Sequence, residues 1–313
     1  MWYYVTKRIL ATLPVMGVVA VIVFLLLRLS PGDPAAIIAG DDATSEDIAK
    51  IREHLGLDRP LLTQFVRWLG QLATGDFGNS IYLERPVLGL IMERVEPTLA
   101  LSVTTIIFAV VLAVPIGVLA AWRAGTWIDQ TIMALSVLAF SVPVFLIGYG
   151  LVIGFSLTLE LLPVQGFVSL SEDPGAFFRH LVLPTVALGL VYTALIARIT
   201  RATMLETLNE DFIRTARAKG LGEPRVLILH ALKNASVPIV TTIGTGLALL
   251  IGGVVVTESV FAVPGIGRLT IDAVMQRDYP VIQGVILVVA GVYVLVNLVI
   301  DLTYSLLDPR IRY

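Results

Sequence analysis

The sequence predicts an all-α integral membrane protein with about six transmembrane helices. Of its 313 residues, 57% are hydrophobic and only 15% are charged, and the mean hydropathy is +0.88. A soluble domain usually carries about 25% charged residues. The charges collect in a few segments, and the apolar stretches between them are long enough to cross a hydrocarbon core, which takes about 20 helical residues. Since backbone polar groups in lipid must be paired within their own segment, these stretches are expected to be helices.

Residues 1–29 comprise the N-terminus and the first transmembrane helix. The apolar run follows Lys7 and Arg8, as in a secretory signal, but it is longer than an ordinary signal core and lacks a clear small-residue cleavage site. We therefore expect an uncleaved anchor that forms the first span. Residues 30–96 then form a long periplasmic loop with short helices.

Residues 97–305 form the predicted membrane core with five further spans. These helices are expected at about 98–122, 131–158, 181–197, 238–259 and 281–302, joined by a cytoplasmic loop at 198–237 and an external loop at 261–280. The fourth span is short and the third is long. Interfacial residues such as Trp127 and Tyr149, together with helix tilt, would absorb part of the excess length.

The distribution of basic residues predicts the orientation. With the N-terminus in the cytoplasm, 12 of the 22 Lys and Arg residues lie in inner segments, as the positive-inside rule requires. Six of the other ten lie in the long loop 30–96, where the rule is weaker, and only seven of the 24 acidic residues fall inside. Both termini are therefore predicted to be cytoplasmic, the second as a tail at residues 306–313.

Small residues in two spans indicate close helix contacts. Gly150 and Gly154 form a GxxxG pair in span three, and span five contains Gly244, Gly246, Gly252 and Gly253. Such residues let helix backbones approach each other in lipid. Tight packing within the bundle and lining of a solute path are both open interpretations.

The loop at 198–237 is predicted to hold two short helices. Asn209 or Asp211 can cap the first helix, whose body is residues 212–219, and Gly220 suits the left-handed position that ends a helix. Pro224 fits the first turn of the second helix. On the first helix, apolar and basic side chains lie on different sides. Phe212, Ile213 and Ala216 share one side, while Arg214, Arg217 and Lys219 project elsewhere. Contact with anionic lipid is one explanation for such a basic helix.

The external loop at 261–280 contains a turn and a short helix. Pro264-Gly265 suits a tight turn with positive φ at the glycine. Residues 269–277 would form a short surface helix that ends before Pro280. From the residues alone this segment is a structured connector.

Several classes of function lack their sequence signals. None of the four lysines follows a glycine, so there is no Gly-Lys phosphate loop, and His54, His180 and His230 form no His-Glu-x-x-His motif. No Gly-x-Ser-x-Gly nucleophile elbow is present. There are no cysteines, and a net charge of −2 gives no basic surface for nucleic acid. A membrane-bound enzyme is therefore disfavoured.

Two acidic residues near span ends bear on ion coupling. Glu258 and Asp301 lie near helix ends rather than at mid-depth, so we expect them to be solvated at the interface. A proton-coupled carrier would need buried acids or an inverted repeat with broken helices, and neither is evident. A secondary carrier or channel is nevertheless the alternative function.

Motifs spread over most of the chain resemble one family. Two lie in the cytoplasmic loop, Asp211-Phe-Ile-Arg-Thr-Ala-Arg-Ala-Lys-Gly-Leu-Gly and His230-Ala-Leu-Lys-Asn-Ala. The first external region contains Leu29-Ser-Pro-Gly-Asp-Pro-Ala, Leu55-Gly-Leu-Asp-Arg-Pro and Gly75-Asp-Phe-Gly-Asn-Ser. The second contains Phe261-Ala-Val-Pro-Gly-Ile-Gly-Arg-Leu and Arg277-Asp-Tyr-Pro-Val-Ile-Gln-Gly. Together they are similar to the peptide/nickel subgroup of ABC importer permeases.

The resemblance implies a fold, a coupling site and an outer site. It implies the type I ABC importer permease fold and a coupling helix that docks on an ATPase subunit. The implied coupling residues are Asp211, Arg214, Thr215, Ala216, Arg217, Ala218, Lys219 and Gly220. An external gate or receptor contact would comprise Phe261, Pro264, Gly265, Gly267 and Arg268.

The resemblance also implies partners, location and cargo. The partners would be a second homologous permease, two ABC ATPase subunits or domains, a periplasmic or lipid-anchored solute-binding protein, and membrane lipid, with no nucleic acid. ATP and Mg²⁺ would bind the partner ATPases, and this chain would bind no cofactor or metal. The location would be the bacterial cytoplasmic membrane. Peptides are the first expectation for the transported solute, and nickel, glutathione and oligosaccharides are alternatives.

Overall fold

The computed structural model describes residues 2–29, 35–36, 44–54, 58–252 and 254–307, and most of these residues are helical. Within these ranges, β pairing is limited to an antiparallel bridge between Asn79 and Pro86. The helices are Trp2–Leu29 (α1), Ser45–His54 (α2), Leu61–Ala73 (α3), Val87–Trp122 (α4), Trp127–Ser141 (α5), Val144–Leu151 (α6), Pro174–Leu208 (α7), Asp211–Ala218 (α8), Glu223–Arg225 (α9), Lys233–Ile251 (α10), Val255–Val260 (α11), Ile266–Met275 (α12) and Tyr279–Leu307 (α13). Two π-helical turns, Val152–Thr158 and Val226–Leu232, continue α6 and α9.

Some of the predicted features lie outside the described residues. These are positions 30–34 and 55–57 of two external motifs, Gly253, and residues 308–313 of the tail. The other motifs are described along their whole length.

Five helices are long and apolar enough to cross a membrane, and a bent pair gives a sixth if it counts as one span. The five are Arg8–Leu26 within α1, Val87–Trp122, Pro174–Leu208, Glu223–Ile251 and Tyr279–Thr303 within α13. The prediction of a helical membrane protein with about six spans is therefore confirmed for the described chain. The orientation of the termini stays a prediction.

The predicted third span, 131–158, is not a single helix. α5 ends at Ser141, α6 begins at Val144, and the two are bent by 95°. Pro143 explains the break, because it has no N–H to donate and disfavours the helical conformation at Val142, which is extended with φ −84° and ψ 125°. Hydropathy alone marks one apolar run across this proline, so the prediction of a single helix is corrected.

Several helices continue well beyond the apolar runs that predicted them. The predicted spans 98–122 and 181–197 lie inside α4 and α7, which begin earlier at Val87 and Pro174. The fifth span begins at Glu223 and ends at Ile251 instead of covering 238–259. Hydropathy marks only the lipid-soluble part of a helix, whereas its backbone hydrogen bonds continue through polar residues. The loop predicted at 198–237 is therefore reduced to residues 209–222.

The chain divides into two compact units, and the larger comprises residues 1–8, 95–268 and 292–313. Its principal apolar cluster joins α4, α7, α8, the π turn at 226–232 and α10. Representative members are Ala113, Ile196, Met204, Ile213, Val226 and Ala235. This cluster fixes α8 to three long helices.

The smaller unit comprises residues 9–94 and 269–291. Ala20 and Val23 of α1 are buried with Leu287 of α13, and Trp68 and Leu72 of α3 pack against them. The side-chain amide of Gln283 on α13 donates to the backbone oxygen of Val23 at 2.8 Å. α3 is thus held against α1 and α13.

The predicted close contacts at glycines occur at some positions only. A Cβ atom at Gly246 would lie 3.0 Å from Tyr192 Cε1, and one at Gly244 would overlap Ile300. Apart from its own helix backbone, neither Gly150 nor Gly154 has a described atom within 4 Å of the Cβ position. The GxxxG pair therefore makes no such contact within the described part of the chain.

Candidate functional site

The first candidate site is the short helix α8 and the turn that ends it. α8 starts after Glu210, whose side chain makes no capping bond, so the predicted caps at Asn209 and Asp211 are corrected. Gly220 has φ +79°, as predicted. Its N–H donates to Arg217 O at 2.9 Å, and the N–H of Leu221 donates to Ala216 O at 3.3 Å. This pair of bonds is a Schellman motif, which satisfies the last carbonyl groups of a helix.

α8 has one buried side and one exposed side. Ile213 is fully buried and Ala216 nearly so, both within the principal apolar cluster. Phe212 is 41% exposed, although the sequence placed it on the same side as Ile213 and Ala216. The remaining predicted coupling residues, Asp211, Arg214, Thr215, Arg217, Ala218, Lys219 and Gly220, are exposed. Phe212 therefore adds an exposed apolar residue that the predicted site lacked.

An ion pair closes the turn after α8. Arg217 Nε lies 2.8 Å from Glu223 Oε1, and Arg217 Nη2 lies 3.3 Å from Glu223 Oε2. Arg214 makes a second, more exposed pair with Asp211 at 2.9 Å. Arg217 is thus occupied in holding α8 against the start of α9, and Glu223 is a site residue that the sequence analysis missed.

α8 is attached at both ends to membrane-spanning helices. α7 runs to Leu208, and α9 passes through the π turn into α10 as a continuous helix from Glu223 to Ile251. The predicted position of Pro224 in the first turn of a helix is confirmed. A force applied to α8 would therefore reach two spans directly.

A buried ion pair joins α7 to α5. Asp129 is buried, and its carboxylate accepts from Arg201 Nε at 2.5 Å, from Arg201 Nη2 at 2.7 Å and from the Gly125 N–H at 3.0 Å. A two-point Arg–carboxylate contact fixes orientation as well as distance. The broken third span and α7 are therefore clamped together near one end.

The second candidate site is the motif around Glu258, in the loop predicted to be external. The side chain of Glu258 on α11 is 0% exposed. Its Oε1 accepts from the Thr98 hydroxyl at 2.9 Å, and its Oε2 accepts from the Arg268 N–H at 2.8 Å. Thr98 Oγ1 accepts from the Ile266 N–H at 2.8 Å, which leaves its own proton for Glu258. The prediction of interfacial solvation at Glu258 is therefore wrong.

Two glycines make room for this carboxylate. A Cβ atom at Gly265 would overlap Glu258 Oε1, and one at Gly267 would lie 2.8 Å from Glu258 Oε2. The sequence predicted positive φ at Gly265, and this prediction is wrong. The residue of this turn with positive φ is Ala262, at +47°. The glycines are required for close approach rather than for backbone conformation.

The predicted outer contact residues differ in exposure. Phe261 is buried and lies against Gly148, and its carbonyl accepts from the Gly166 N–H at 2.9 Å. Gly265 and Gly267 are also buried, Pro264 is half-buried and Arg268 is exposed. The predicted surface helix after the turn begins earlier than expected, at Ile266, and ends at Met275.

Asp301 also has a partner rather than water alone. Arg8 Nη1 lies 3.0 Å from Asp301 Oδ2, and the Asp301 side chain is 20% exposed. No local pattern in the sequence pairs the two residues, because they lie near opposite ends of the chain.

In the smaller unit, Asp278 joins two of the external motifs. Its carboxylate is buried and accepts from the Ser80 hydroxyl and from the Ile81 N–H at 3.3 Å. Ser80 ends the Gly75-Asp-Phe-Gly-Asn-Ser motif, and Asp278 belongs to the Arg277-Asp-Tyr-Pro motif just before α13. Two segments far apart in sequence therefore form one fixed structure.

The chain matches two family models that together span its whole length. Residues 113–313 match the model described as "binding-protein-dependent transport system inner membrane component", and residues 1–113 match the model of the corresponding N-terminal region. The larger match covers α8 and the second candidate site except for Thr98, which lies in the N-terminal match.

Curated relatives are similar from end to end. A probable peptide ABC transporter permease protein of Sinorhizobium fredii is 53% identical over 313 residues, covering 100% of both chains. A putative peptide transport system permease protein of Brucella abortus is 42% identical over 309 residues, covering 99% of this chain and 98% of the relative. A glutathione transport system permease protein of Salmonella paratyphi A is 44% identical over 311 residues, covering 99% of each.

A solved structure has a similar fold at low sequence identity. A chain of the MetNI methionine ABC transporter in an inward-facing conformation aligns with a TM-score of 0.58 and 19% identity, covering 71% of this chain and 97% of that one. At this identity the likeness concerns the fold alone.

Proposed function

Because the chain belongs to the family of binding-protein-dependent transport system inner membrane components, it is a multi-pass permease of an ATP-driven importer in the bacterial inner membrane, and we propose that its cargo is peptides. The observation that carries the cargo proposal is the end-to-end similarity to permeases named for peptide transport. The relative named for glutathione, itself a small peptide, is similar over the same length.

Membership of this family implies ATPase and solute-binding partners. The proposed assembly pairs this chain with a second homologous permease and two ATPase subunits or domains, and a periplasmic or lipid-anchored receptor delivers the solute. ATP and Mg²⁺ bind the ATPases, so this chain has a transport role and no catalytic one. Both termini and α8 face the cytoplasm in this arrangement.

The proposed coupling element is the exposed side of α8. ATP binding closes the ATPases, and α8 moves with the surface on which it docks. Since α8 is joined to α7 and to the long helix Glu223–Ile251, this movement favours one state of the pathway over another. A ligand shifts such an equilibrium only through its different affinity for the two states. ATP therefore acts through the contact between α8 and the ATPase.

Gly220 offers a direct test of coupling. Other residues adopt its φ of +79° only at a cost in energy, although no described atom beyond its chain neighbours lies within 4 Å of a Cβ at this position. Gly220→Asp should disturb the end of α8 by about 1–2 kcal/mol while leaving the membrane core intact. We expect ATP-driven uptake into proteoliposomes to fall roughly tenfold, since about 1.4 kcal/mol corresponds to that factor, while ATP hydrolysis persists.

The matched control is Gly222→Ala in the same turn. Gly222 has φ −64°, which alanine adopts readily, and its Cβ position is 3.9 Å from Pro224 Cδ. This variant should transport normally. Normal uptake and normal ATPase binding by Gly220→Asp would show that α8 is not the coupling element.

The cargo is tested separately through the receptor. The purified solute-binding partner is titrated with dipeptides, tripeptides, glutathione and Ni²⁺, and the peptide proposal expects peptides to bind most tightly. Tight binding of Ni²⁺ in place of peptides would refute the cargo proposal and leave the permease assignment unchanged.

A further inference from the structure

Helix α3 in the first external region has two adjacent apolar stripes. It has 13 residues, which is too few to cross a hydrocarbon core that needs about 20. With about 3.6 residues per turn, Phe65, Trp68 and Leu72 form one stripe. Leu62, Val66 and Leu69 form a second stripe beside it. Its remaining side is polar and includes Thr63, Arg67 and Gln71.

The first stripe packs against the end of the first span. The ring of Phe24 on α1 lies 5.0 Å from that of Phe65 and 5.6 Å from that of Trp68. Phe24 is two residues before Leu26, where the apolar span ends. Because an α-helix rises about 1.5 Å per residue, this contact lies about 3 Å from the end of the span. α3 is therefore held at the level where hydrocarbon meets headgroups.

The second stripe is exposed, and no described part of the chain covers it. Leu62 is 74% exposed, Val66 61% and Leu69 38%. At the same level, α1 exposes Ile22 and Leu26, and in a membrane protein such an apolar helix surface faces lipid. The exposed stripe of α3 therefore lies beside an exposed apolar surface of a membrane-spanning helix.

We propose that α3 is an interfacial helix that lies in the lipid–water boundary, with Leu62, Val66 and Leu69 among the acyl chains and Thr63, Arg67 and Gln71 toward water. Helices of this kind have one broad apolar side and one polar side. Trp68, whose ring suits the interface, anchors the helix to α1. The proposal concerns a lipid contact and is independent of the transported solute.

The chemistry of the exposed stripe favours lipid over a protein partner. Binding surfaces for proteins concentrate their energy in Trp, Tyr and Arg, whereas Leu and Val are under-represented there. On α3 the aromatic residues face α1, and the exposed stripe is purely aliphatic. Acyl chains match such a surface without requiring a shaped pocket.

Single cysteine variants test the proposal in the assembled transporter. The chain contains no cysteine, so a nitroxide label can be placed at one site at a time, with partner subunits freed of reactive cysteine. The experiment compares Val66→Cys and Leu62→Cys with Thr63→Cys and Gln71→Cys in phospholipid vesicles. Ile22→Cys on α1 provides the lipid-facing reference. Collisions with oxygen, which partitions into lipid, and with a water-soluble nickel chelate are measured by electron paramagnetic resonance.

We expect labels at Val66 and Leu62 to resemble Ile22, with oxygen collisions several times more frequent than nickel collisions. Labels at Thr63 and Gln71 should show the opposite ratio. If Val66 is as accessible to nickel as Thr63, the stripe faces water and the proposal is wrong. If Val66 is shielded from both reagents, a protein subunit covers the stripe and the proposal is equally wrong.

Discussion

The carboxylate of Glu258 holds the N-terminus of α12 in place. The first N–H groups of a helix have no partner within the helix, and here Arg268 donates to Glu258 while Ile266 donates to Thr98. A negative charge at this end also interacts favourably with the helix dipole. Glu258, Thr98 and the two glycines at 265 and 267 therefore act as one structural unit, and a change to any of them affects the others.

Replacement of Glu258 by glutamine should destabilise this unit. The oxygen of the amide can accept from either the Thr98 hydroxyl or the Arg268 N–H. The NH₂ group of the amide then faces the remaining donor. We expect a loss of about 1–3 kcal/mol in the free energy of unfolding, as for a buried donor left without its acceptor. Thermal unfolding of the detergent-solubilised protein, followed by tryptophan fluorescence, measures this loss.

Ser259→Ala is the control for Glu258→Gln. Ser259 is the next residue on α11, its side chain is exposed, and it bonds only locally to Val255 O at 2.8 Å. Its removal should change the unfolding temperature little. An unchanged unfolding temperature for Glu258→Gln would contradict the role given to this carboxylate.

Single residues differ in how far the sequence could predict their roles. The left-handed conformation of Gly220 was predictable, because a glycine directly after a polar helix is a local signal. The role of Gly265 was not, because it depends on Glu258 and Thr98, and Thr98 lies more than 150 positions away in sequence. Local rules carry no information about which distant side chain occupies the space that a glycine leaves.

At the scale of elements, α8 depends on its neighbours for stability. A helix of eight residues does not persist alone in water. Ile213 and Ala216 attach it to α7 and to the π turn at 226–232, and the Schellman motif at Gly220 closes its end. Its orientation is therefore fixed before any partner binds, and the exposed side is available for docking.

Phe212 should dominate the docking of this exposed side. It is an exposed aromatic residue among charged ones, and such residues contribute about 2 kcal/mol or more to an interface when they enter a pocket. We expect Phe212→Ala to weaken copurification of the ATPase and to lower uptake at least tenfold, with no loss of folding because the side chain is not part of the core.

Phe178→Ala provides the comparison for Phe212→Ala. Phe178 is similarly exposed but lies near the start of α7, far along that helix from α8. This variant should retain ATPase binding. If both variants bind the ATPase as well as the unchanged chain does, the docking surface does not include Phe212.

Apolar runs predicted the number of spans better than the bounds of the helices. The polar ends of α7 and of the helix Glu223–Ile251 were not predicted to be helical, because hydropathy falls before the helix ends. The bend between α5 and α6 was signalled by Pro143, but proline also occurs inside α1, α4 and α7 without ending them. The outcome at each proline depends on packing that the local sequence does not describe.

At the scale of the whole molecule, the orientation in the membrane is the main untested prediction. Single cysteines at Arg225, just after the α8 turn, and at Gln276, at the end of α12, report the two sides; both residues are exposed. With a membrane-impermeant maleimide on intact spheroplasts, we expect Gln276→Cys to react and Arg225→Cys to react only after permeabilisation. Reaction of Arg225→Cys from outside would reverse the proposed topology.

Composition and charge distribution predicted the class of molecule, and the motifs predicted its family. The contacts that join distant parts of the chain were not predictable in the same way, as the pairs Arg8–Asp301 and Ser80–Asp278 illustrate. Each involves a side chain that the local sequence would place in water. Only the folded topology brings its partner within reach.

The π-helical turn at 226–232 is a position where a single-residue deletion should be tolerated. Backbone hydrogen bonds in such a turn join residues five apart instead of four. Removal of one residue would therefore leave an ordinary α-helix from Glu223 to Ile251, and the side chains at both ends would keep their orientation. Elsewhere in the same helix, a deletion would turn every following side chain by about 100°, since there are about 3.6 residues per turn. Length variation among natural homologues should therefore be tolerated at this turn and avoided within α10.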